Sequence, residues 1–230
     1  MKPTPNSPEA KTAIPVAEMR ASDAYTIAQF VSSKELMRRA AQGIFDAVES
    51  TLADTGGWRG KKTAILAGSG NNGGDGYALA GILAGHGAPV RIFCVSEKFS
   101  EDGRYYYEQA VAKGVPAERF APGADGTGLS EYDILVDCIL GTGFAGVPRG
   151  AAAEAIRAVN ASGAWVVSAD INSGMNGDTG EAVLAVRSDL TVSIGFYKAG
   201  LFLGRAPELI GELVNVEIGI VPVPDGDEVL

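Results

Sequence analysis

The sequence predicts an α/β chain, a three-layer α/β/α sandwich in which helices cover both faces of a mainly parallel central sheet. Three observations carry this expectation. Short apolar runs of strand length alternate with segments whose apolar residues recur at helical spacing, as in strands buried on both faces and joined by helical crossovers. Several of these runs end in glycine-rich polar loops, which is where open α/β sheets bind their ligands. The chain has 230 residues and 46% hydrophobic content, enough to bury one large core, so a single domain is favoured over two small ones.

Residues 1–14 are rich in Pro, Ser, Thr and Lys and read as a loosely held tail. The domain is expected over 15–222, with folded structure starting near Val16 and an acidic tail at 223–230. Ser22–Phe30 suits a short helix. Ser32–Glu35 then offers a capping box ahead of Leu36, Ala40, Ile44, Val48 and Leu52, which mark a long amphipathic helix stopped at Gly56-Gly57. The run Thr63–Ala67 is a strand ending in glycines; a tight loop follows, then a helix from about Gly74 carrying Ala78, Ile82 and Leu83. Val90–Val95 (strand), Asp102–Lys113 (helix), Asp133–Asp137 (strand), Ala151–Ala161 (helix), Ala164–Ala169, Leu190–Ile194 and Leu213–Ile218 (strands) complete the order. Right-handed crossovers make such an arrangement Rossmann-like.

Composition excludes several classes. The net charge is −9 and there is no basic run, which argues against a grip on nucleic acid phosphates. No stretch is long enough for a membrane span, and residues 1–15 lack the apolar core of a secretory signal. Cys94 and Cys138 fall within or just after apolar runs, where buried reduced thiols belong, so a cytoplasmic location is expected. The single histidine, His86, stands at a helix end and offers neither a triad nor a multi-histidine metal site.

The chemistry gathers at the strand ends. Gly68, Gly70 and Gly73 fit G-x-G-x-x-G, whose glycines allow a sharp turn and a phosphate against backbone N–H groups. Asn71, Asn72 and Asp75 in the same stretch work against a bare anion, so a cation or a hydrogen-bonding ligand is wanted too. The plainer alternative is that Asp75 caps the helix. Asp137 is followed by Gly141-Thr142-Gly143, Asp170 by Asn172-Ser173-Gly174, and the last of these loops carries Lys198. Carboxylates at the ends of buried strands are costly unless they meet a cation, a donor or a proton, although either could simply cap the next segment. Oxygen donors from Asn72, Asp137 and Ser173, without nearby His or Cys, suit a hard cation, and a carboxylate near a lysine makes an acid/base pair.

These stretches together resemble a known family. GSGNNGGDGYALA, VDCILGTGFAGVPRG, SADINSGMNGDTG and TVSIGFYKAGL are similar, in order, to the motifs of the YjeF N-terminal domain, and EMRASDAYTI and SSKELMRRAAQGI resemble its first helices. The resemblance implies an NAD(P)H-hydrate epimerase, an isomerase that interconverts the R and S forms of NADHX and NADPHX, in which water has added at C6 of the nicotinamide. It implies one potassium ion per subunit held by Asn72, Asp137 and Ser173 with backbone carbonyls. Substrate contacts are implied from Asn71, Asn72, Gly73, Gly74 and Asp75, from Gly141, Thr142, Gly143, Phe144, Ala145, Gly146 and Val147, and from Asp170. A homodimer is implied, as is a functional pairing with an ATP- or ADP-dependent hydrate dehydratase. The catalytic set expected is Asp170 or Asp137 as the carboxylate that steadies a cationic ring, with Lys198 as proton donor; Asp170 is preferred because a metal ligand is a poor free base. The chain departs from the family pattern at Arg38, Ala41 and Asn172. Rival readings are an NAD-dependent dehydrogenase using Glu97 for the ribose, a YjeF-type scaffold domain like that of mRNA-decapping proteins, and half of a bifunctional enzyme.

Overall fold

A computed structural model describes residues 1–5, 7–121 and 128–224; the 225–230 part of the expected acidic tail lies outside the described residues. Seven strands form one all-parallel sheet in the order β3-β2-β1-β4-β5-β6-β7. They are β1 Thr63–Ala67, β2 Val90–Cys94, β3 Ala117–Arg119, β4 Ile134–Cys138, β5 Trp165–Ala169, β6 Ser188–Ile194 and β7 Ile210–Val216. The helices are α1 Val16–Gln29, α2 Ser33–Thr51, α3 Asn71–Gly85, α4 Glu101–Ala112, α5 Gly150–Ala161 and the short α6 Ala206–Leu209. The chain runs outward from β1 to β3 on one side and from β4 to β7 on the other. The reversal falls between β1 and β4, which opens a crevice at their carboxyl ends.

Strand alternation sorts the core into layers. Ile65, Ile92, Val136 and Val192 face one cluster with α2 and α3 residues such as Ile44, Leu79 and Leu83. Leu66, Leu135 and Val166 face the other, covered by Ile156 and Val159 of α5. A third cluster, Ile171, Met175, Phe202 and Leu213 among it, fills the end of the sheet beyond β6. β1 and β4 are buried along their whole length, which explains runs with no polar alternation.

The long helix begins where its sequence signal lies. The Ser32 hydroxyl accepts the Glu35 N–H, but the reciprocal half of the capping box does not form, because the Glu35 carboxylate is taken by Arg38 at 2.8 Å and Arg39 at 3.0 Å. Past its C-terminus the chain turns through Gly56 at φ +86°. Cys94 and Cys138 are free and buried, and His86 is exposed at the end of α3, its ring 4.6 Å from that of Phe45 at a tilt of 31°.

Several elements differ from expectation. β3 was not anticipated: one half-buried alanine and two exposed charged residues give no apolar run, yet they suit a short edge strand. α3 starts at Asn71 rather than Gly74, so most of the supposed loop is the first turn of a helix. β5 and β6 are joined by an irregular segment, and the final strand begins earlier, at Ile210. The expected N-terminal tail is bound to the body. Glu9–Thr12 form a 3-10 turn, Ile14 bridges to Lys198 in parallel register, and the Asp178 carboxylate accepts the Val16 N–H at 2.7 Å, capping α1 from across the chain. α1 is thereby strapped across the carboxyl ends of the strands, with Met19 against Gly195 and the Arg20 guanidinium donating to the Thr142 carbonyl at 3.1 Å.

Asn172 holds the irregular segment after β5. It is fully buried; its amide nitrogen donates to Val186 O, Ser188 Oγ and Leu209 O, and its oxygen accepts from Thr191 Oγ1 at 2.7 Å. This network occupies the position where the resembled family has proline, which could supply none of these bonds. Asn172→Ala strands several buried polar groups and is expected to lower the unfolding free energy by about 3 kcal/mol, read from urea denaturation midpoints.

Candidate active site

The first glycine loop is shaped by close packing. A Cβ at Gly68 would stand 1.9 Å from the Ile139 carbonyl oxygen, and one at Gly73 would stand 2.2 Å from Gly68 O. Nothing lies within 4 Å of the corresponding position at Gly70. Two of the motif glycines therefore serve the β1–β4 crossing, while Gly70 leaves open space at the start of α3, where N–H groups lack a side-chain cap. Asp75 is not that cap; it lies in the second turn.

At the switch point lies a cavity of about 510 Å³, within the range of small-molecule sites. On one side it is walled by Met19, Arg20, Asp23 and Ile27 of α1 and by Leu36, Met37 and Ala40 of α2. On the other stand Ser69 to Asn72, Asp75, Ile139 to Phe144, Asp170 and Lys198. The departures from the family pattern do not remove α2 from the site: Arg38 points to solvent in its pair with Glu35, and Ala41 is buried in the core.

Lys198 is the chemical centre of this cavity. Only 1% exposed, its ammonium donates to the Asp170 carboxylate, to Ile194 O at 2.7 Å and to Ser193 Oγ. Asp170 has φ +66°, the only positive φ of a non-glycine among the described residues, a strained backbone of the kind that collects at functional sites. Asp75 and Asp23 share the cavity without a hydrogen-bond partner among the described residues, and Asp102 of α4 also lines it. Burial raises the pKa of Asp75 well above the ordinary Asp value, helped by the charges of Asp170 and Asp23 and opposed by Lys198. Burial raises Asp23 as well, again with Asp170 adding and Lys198 opposing. Lys198 thus faces Asp170, Asp75 and Asp23, and burial favours the protonated form of the last two.

Asp137 lies beneath the cavity rather than in it. It is 0% exposed, and its oxygens accept from Ser168 Oγ at 2.8 Å, Ser173 N at 2.9 Å, Ile139 N at 3.3 Å and the Ser173 hydroxyl. Burial pushes its pKa up while these four bonds pull it down. The Ser173 hydroxyl accepts from Leu140 N at 2.8 Å, and Asn72 Nδ2 donates to Leu140 O at 3.0 Å, so Leu140 links Asn72 to Ser173 and, through Ser173, to Asp137. Asn72 is 7% exposed and its Oδ1 has no partner. An orphaned oxygen beside a buried carboxylate with no cationic partner among the described residues fits a hard monovalent cation, in an all-oxygen set unsuited to zinc or copper.

Of the sequence-derived site residues, the structure gathers Asn71, Asn72, Asp75, Gly141, Thr142, Gly143, Phe144, Asp170 and Lys198 around the cavity. It does not bring Gly73, Gly74, Ala145, Gly146 or Val147 there. Gly73 packs on Gly68, Gly74 is covered by Met37 and Gly103, and residues 145–147 are exposed. Asp137 cannot be the carboxylate against a substrate ring, because it is fully buried beneath the cavity and is absent from its lining. Glu97 stands outside the cavity in an exposed pair with Arg119 at 3.0 Å, which removes the ribose contact a dehydrogenase reading needs. Asp23 and Arg20 were missed; Met19, Asp23 and Ile27 recur every fourth residue, a signal of one helix face but not of where it docks. A second hollow of about 610 Å³ lies near Trp58 and His86, and the one carboxylate in its lining, Glu49, accepts the Trp58 N–H.

A family model described as YjeF-related protein N-terminus matches residues 33–200. The chain is 34% identical to an NAD(P)H-hydrate epimerase of Limosilactobacillus fermentum over 88% of this chain and 94% of that one. It is 35% identical to a protein of the same description from Oenococcus oeni, over 86% and 92%. A bifunctional NAD(P)H-hydrate repair enzyme Nnr of Thermofilum pendens is 39% identical over 65% of this chain, which spans only 30% of that longer protein. Among solved structures, the crystal structure of yeast ynu0 superposes with a TM-score of 0.69 at 23% identity, covering 82% of each chain, a likeness of fold.

The Asp75 proton has a consequence for stability. Between the ordinary Asp value of 3.8 and its raised value, the unfolded chain ionises while the folded state holds the proton, so stability falls as pH rises through that window. Asp75→Asn is therefore expected to raise the thermal midpoint at pH 7, with the gain shrinking as pH approaches 3.8, as followed by circular dichroism melts.

Proposed function

The chain belongs to the family of YjeF-related protein N-termini, and from that premise we propose that its cavity interconverts the R and S epimers of hydrated NADH and NADPH, the activity for which its full-length relatives are named. The observation that carries the reading is the buried Lys198–Asp170 pair beside two unpartnered carboxyls at the topological switch point, in a cavity walled by the matched motifs. In the hydrate, C6 bears the hydroxyl and the ring nitrogen. A proton delivered to that oxygen lets it leave as water while the nitrogen lone pair forms a C6=N1 double bond, and water returning to the other face gives the second epimer. Asp170 is the group that steadies the cationic ring in this scheme. Lys198 serves differently from the proton donor its motif suggests. Its three donors are used on Asp170, Ile194 and Ser193, so its work is to hold and aim the Asp170 carboxylate. Gly70 and the loop from Gly141 to Phe144 offer room and N–H groups for phosphates, with Arg20 at the rim.

Asn72, Asp137 and Ser173, with backbone carbonyls, would hold one potassium ion per subunit. When bound, the ion supplies a positive charge that offsets Asp137 and ties the three loops at the cavity floor. Relatives named bifunctional NAD(P)H-hydrate repair enzymes support a functional pairing with a hydrate dehydratase that consumes one epimer. A cytoplasmic setting agrees with two free buried thiols, and no helix among the described residues is long and apolar enough to cross a membrane. The proposed homodimer agrees with Phe30, an aromatic side chain exposed just past the end of α1.

The reading is tested by supplying mixed R and S hydrates with an S-specific dehydratase: the protein should speed consumption of the R form beyond its unaided rate, and an unchanged rate defeats the proposal. Asp170→Asn is expected to lower kcat on the order of 100-fold or more with a smaller change in KM. For the ion, the wild-type melting midpoint should be higher in potassium chloride than in N-methylglucamine chloride of equal strength. Asn72→Ala should erase that difference, and equal midpoints for the wild-type protein would remove the ion from the site.

A further inference from the structure

Inversion at C6 has a geometric requirement that the motif residues on the sheet side do not meet alone. The hydroxyl leaves from one face of the ring and returns to the other, so a proton-transfer group is needed on each side. Asp75 and Asp170 enter the cavity from the sheet side, from α3 and from the end of β5. Asp23 enters from α1, the helix strapped over the strand ends through Asp178, Arg20 and Met19. Its carboxyl is half-buried and has no hydrogen-bond partner among the described residues, so no structural bond accounts for an acid at this position. The charged groups that line the cavity with it are Asp170, Asp75 and Lys198, Asp102 of α4, and Arg20 on its own helix.

We propose that Asp23 is a catalytic residue serving the nicotinamide face turned toward α1, so that the two epimers exchange their hydroxyl on opposite walls of one cavity. This rests on the epimerase reading. For the epimer whose hydroxyl faces α1, the Asp23 carboxylic acid gives its proton to that oxygen. The C6–O bond breaks to release water, and the N1 lone pair closes the C6=N1 bond, leaving Asp23 as carboxylate. Water then adds from the sheet side, the double-bond electrons return to N1, and the proton lost by that water passes to a sheet-side carboxylate. In the reverse direction the same groups exchange roles, and Asp23 accepts the proton of the incoming water. The raised pKa that burial and Asp170 give Asp23 favours holding a proton for the first step.

The test uses separated R and S hydrates in oxygen-18 water, with uncatalysed rates subtracted. Asp23→Asn should lower the inversion rate roughly 100-fold, while one epimer, the one whose hydroxyl faces the sheet side, keeps exchanging its oxygen with solvent without inverting. Binding of NADP⁺ should stay within about 3-fold of wild type, and Asp23→Glu should restore part of the inversion rate. Inversion at the wild-type rate in Asp23→Asn overturns the proposal. So does loss of exchange from both epimers alike, which would make Asp23 a general support rather than the acid of one face. If the wild-type protein itself fails to invert the hydrates, the epimerase reading fails, a result separate from either of these.

Discussion

A carboxylate placed at the end of a central strand, out of reach of water, must be given donors, and the way Asp137 is satisfied fixes the floor of the site. Its four bonds come from β5 through Ser168, from the loop after β5 through both groups of Ser173, and from its own loop through Ile139. Strands β4 and β5 and the two loops that follow them are thereby held in one arrangement. Leu140 extends the same set to Asn72 at the start of α3. Remove the charge and three of the loops that wall the cavity lose their common anchor.

Above that floor the polar groups are left deliberately incomplete. Asp23 and Asp75 have no hydrogen-bond partners among the described residues, Asn72 Oδ1 is an orphan, and Asp170 holds a left-handed backbone. Buried polar groups elsewhere show the contrast, since Asn172, in the same stretch of chain as Asp170, makes four bonds. Two other buried orphans, Ser22 Oγ and Asn215 Oδ1, lie outside the cavity lining; within the cavity, unspent hydrogen-bonding capacity is a cost to folding that a bound substrate or ion can recover. The N-terminal strap matters for the same reason. Ile14 pairs beside Lys198 and Asp178 caps α1, so the segment that closes the cavity and the segment that carries its lysine are tied together.

Much of the fold was legible because its determinants are local. A buried parallel strand needs an unbroken apolar run, and β1, β2, β4, β5 and the core of β6 each announce themselves that way; the Ser32 cap and the apolar stripe of α2 are equally direct. The failures are instructive. β3 is too short and too charged to be seen, and it exists because an edge accepts it. The start of α3 was misplaced because Asn-Asn-Gly-Gly has poor helix propensity, which the packing of Gly73 on Gly68 and of Gly74 on Gly103 overrides. Asp137 was given a chemical role since strand-end carboxylates often have one, but its hydrogen bonds come from residues 31 and 36 positions away.

By itself the sequence determined the layered parallel architecture, the four polar loops at one edge of the sheet, and the family to which those motifs point, because each depends on short-range pattern and residue type. Only the tertiary structure decided which of the acids share a cavity, that Lys198 is committed to Asp170, that Asp137 is a tie rather than a reactant, and that α1 brings Asp23 and Arg20 over the opening. The physical reason is the same in each case. Whether a carboxyl is neutralised, bonded or left free is set by what the fold carries to within a few ångströms of it, and the sequence records no such distances.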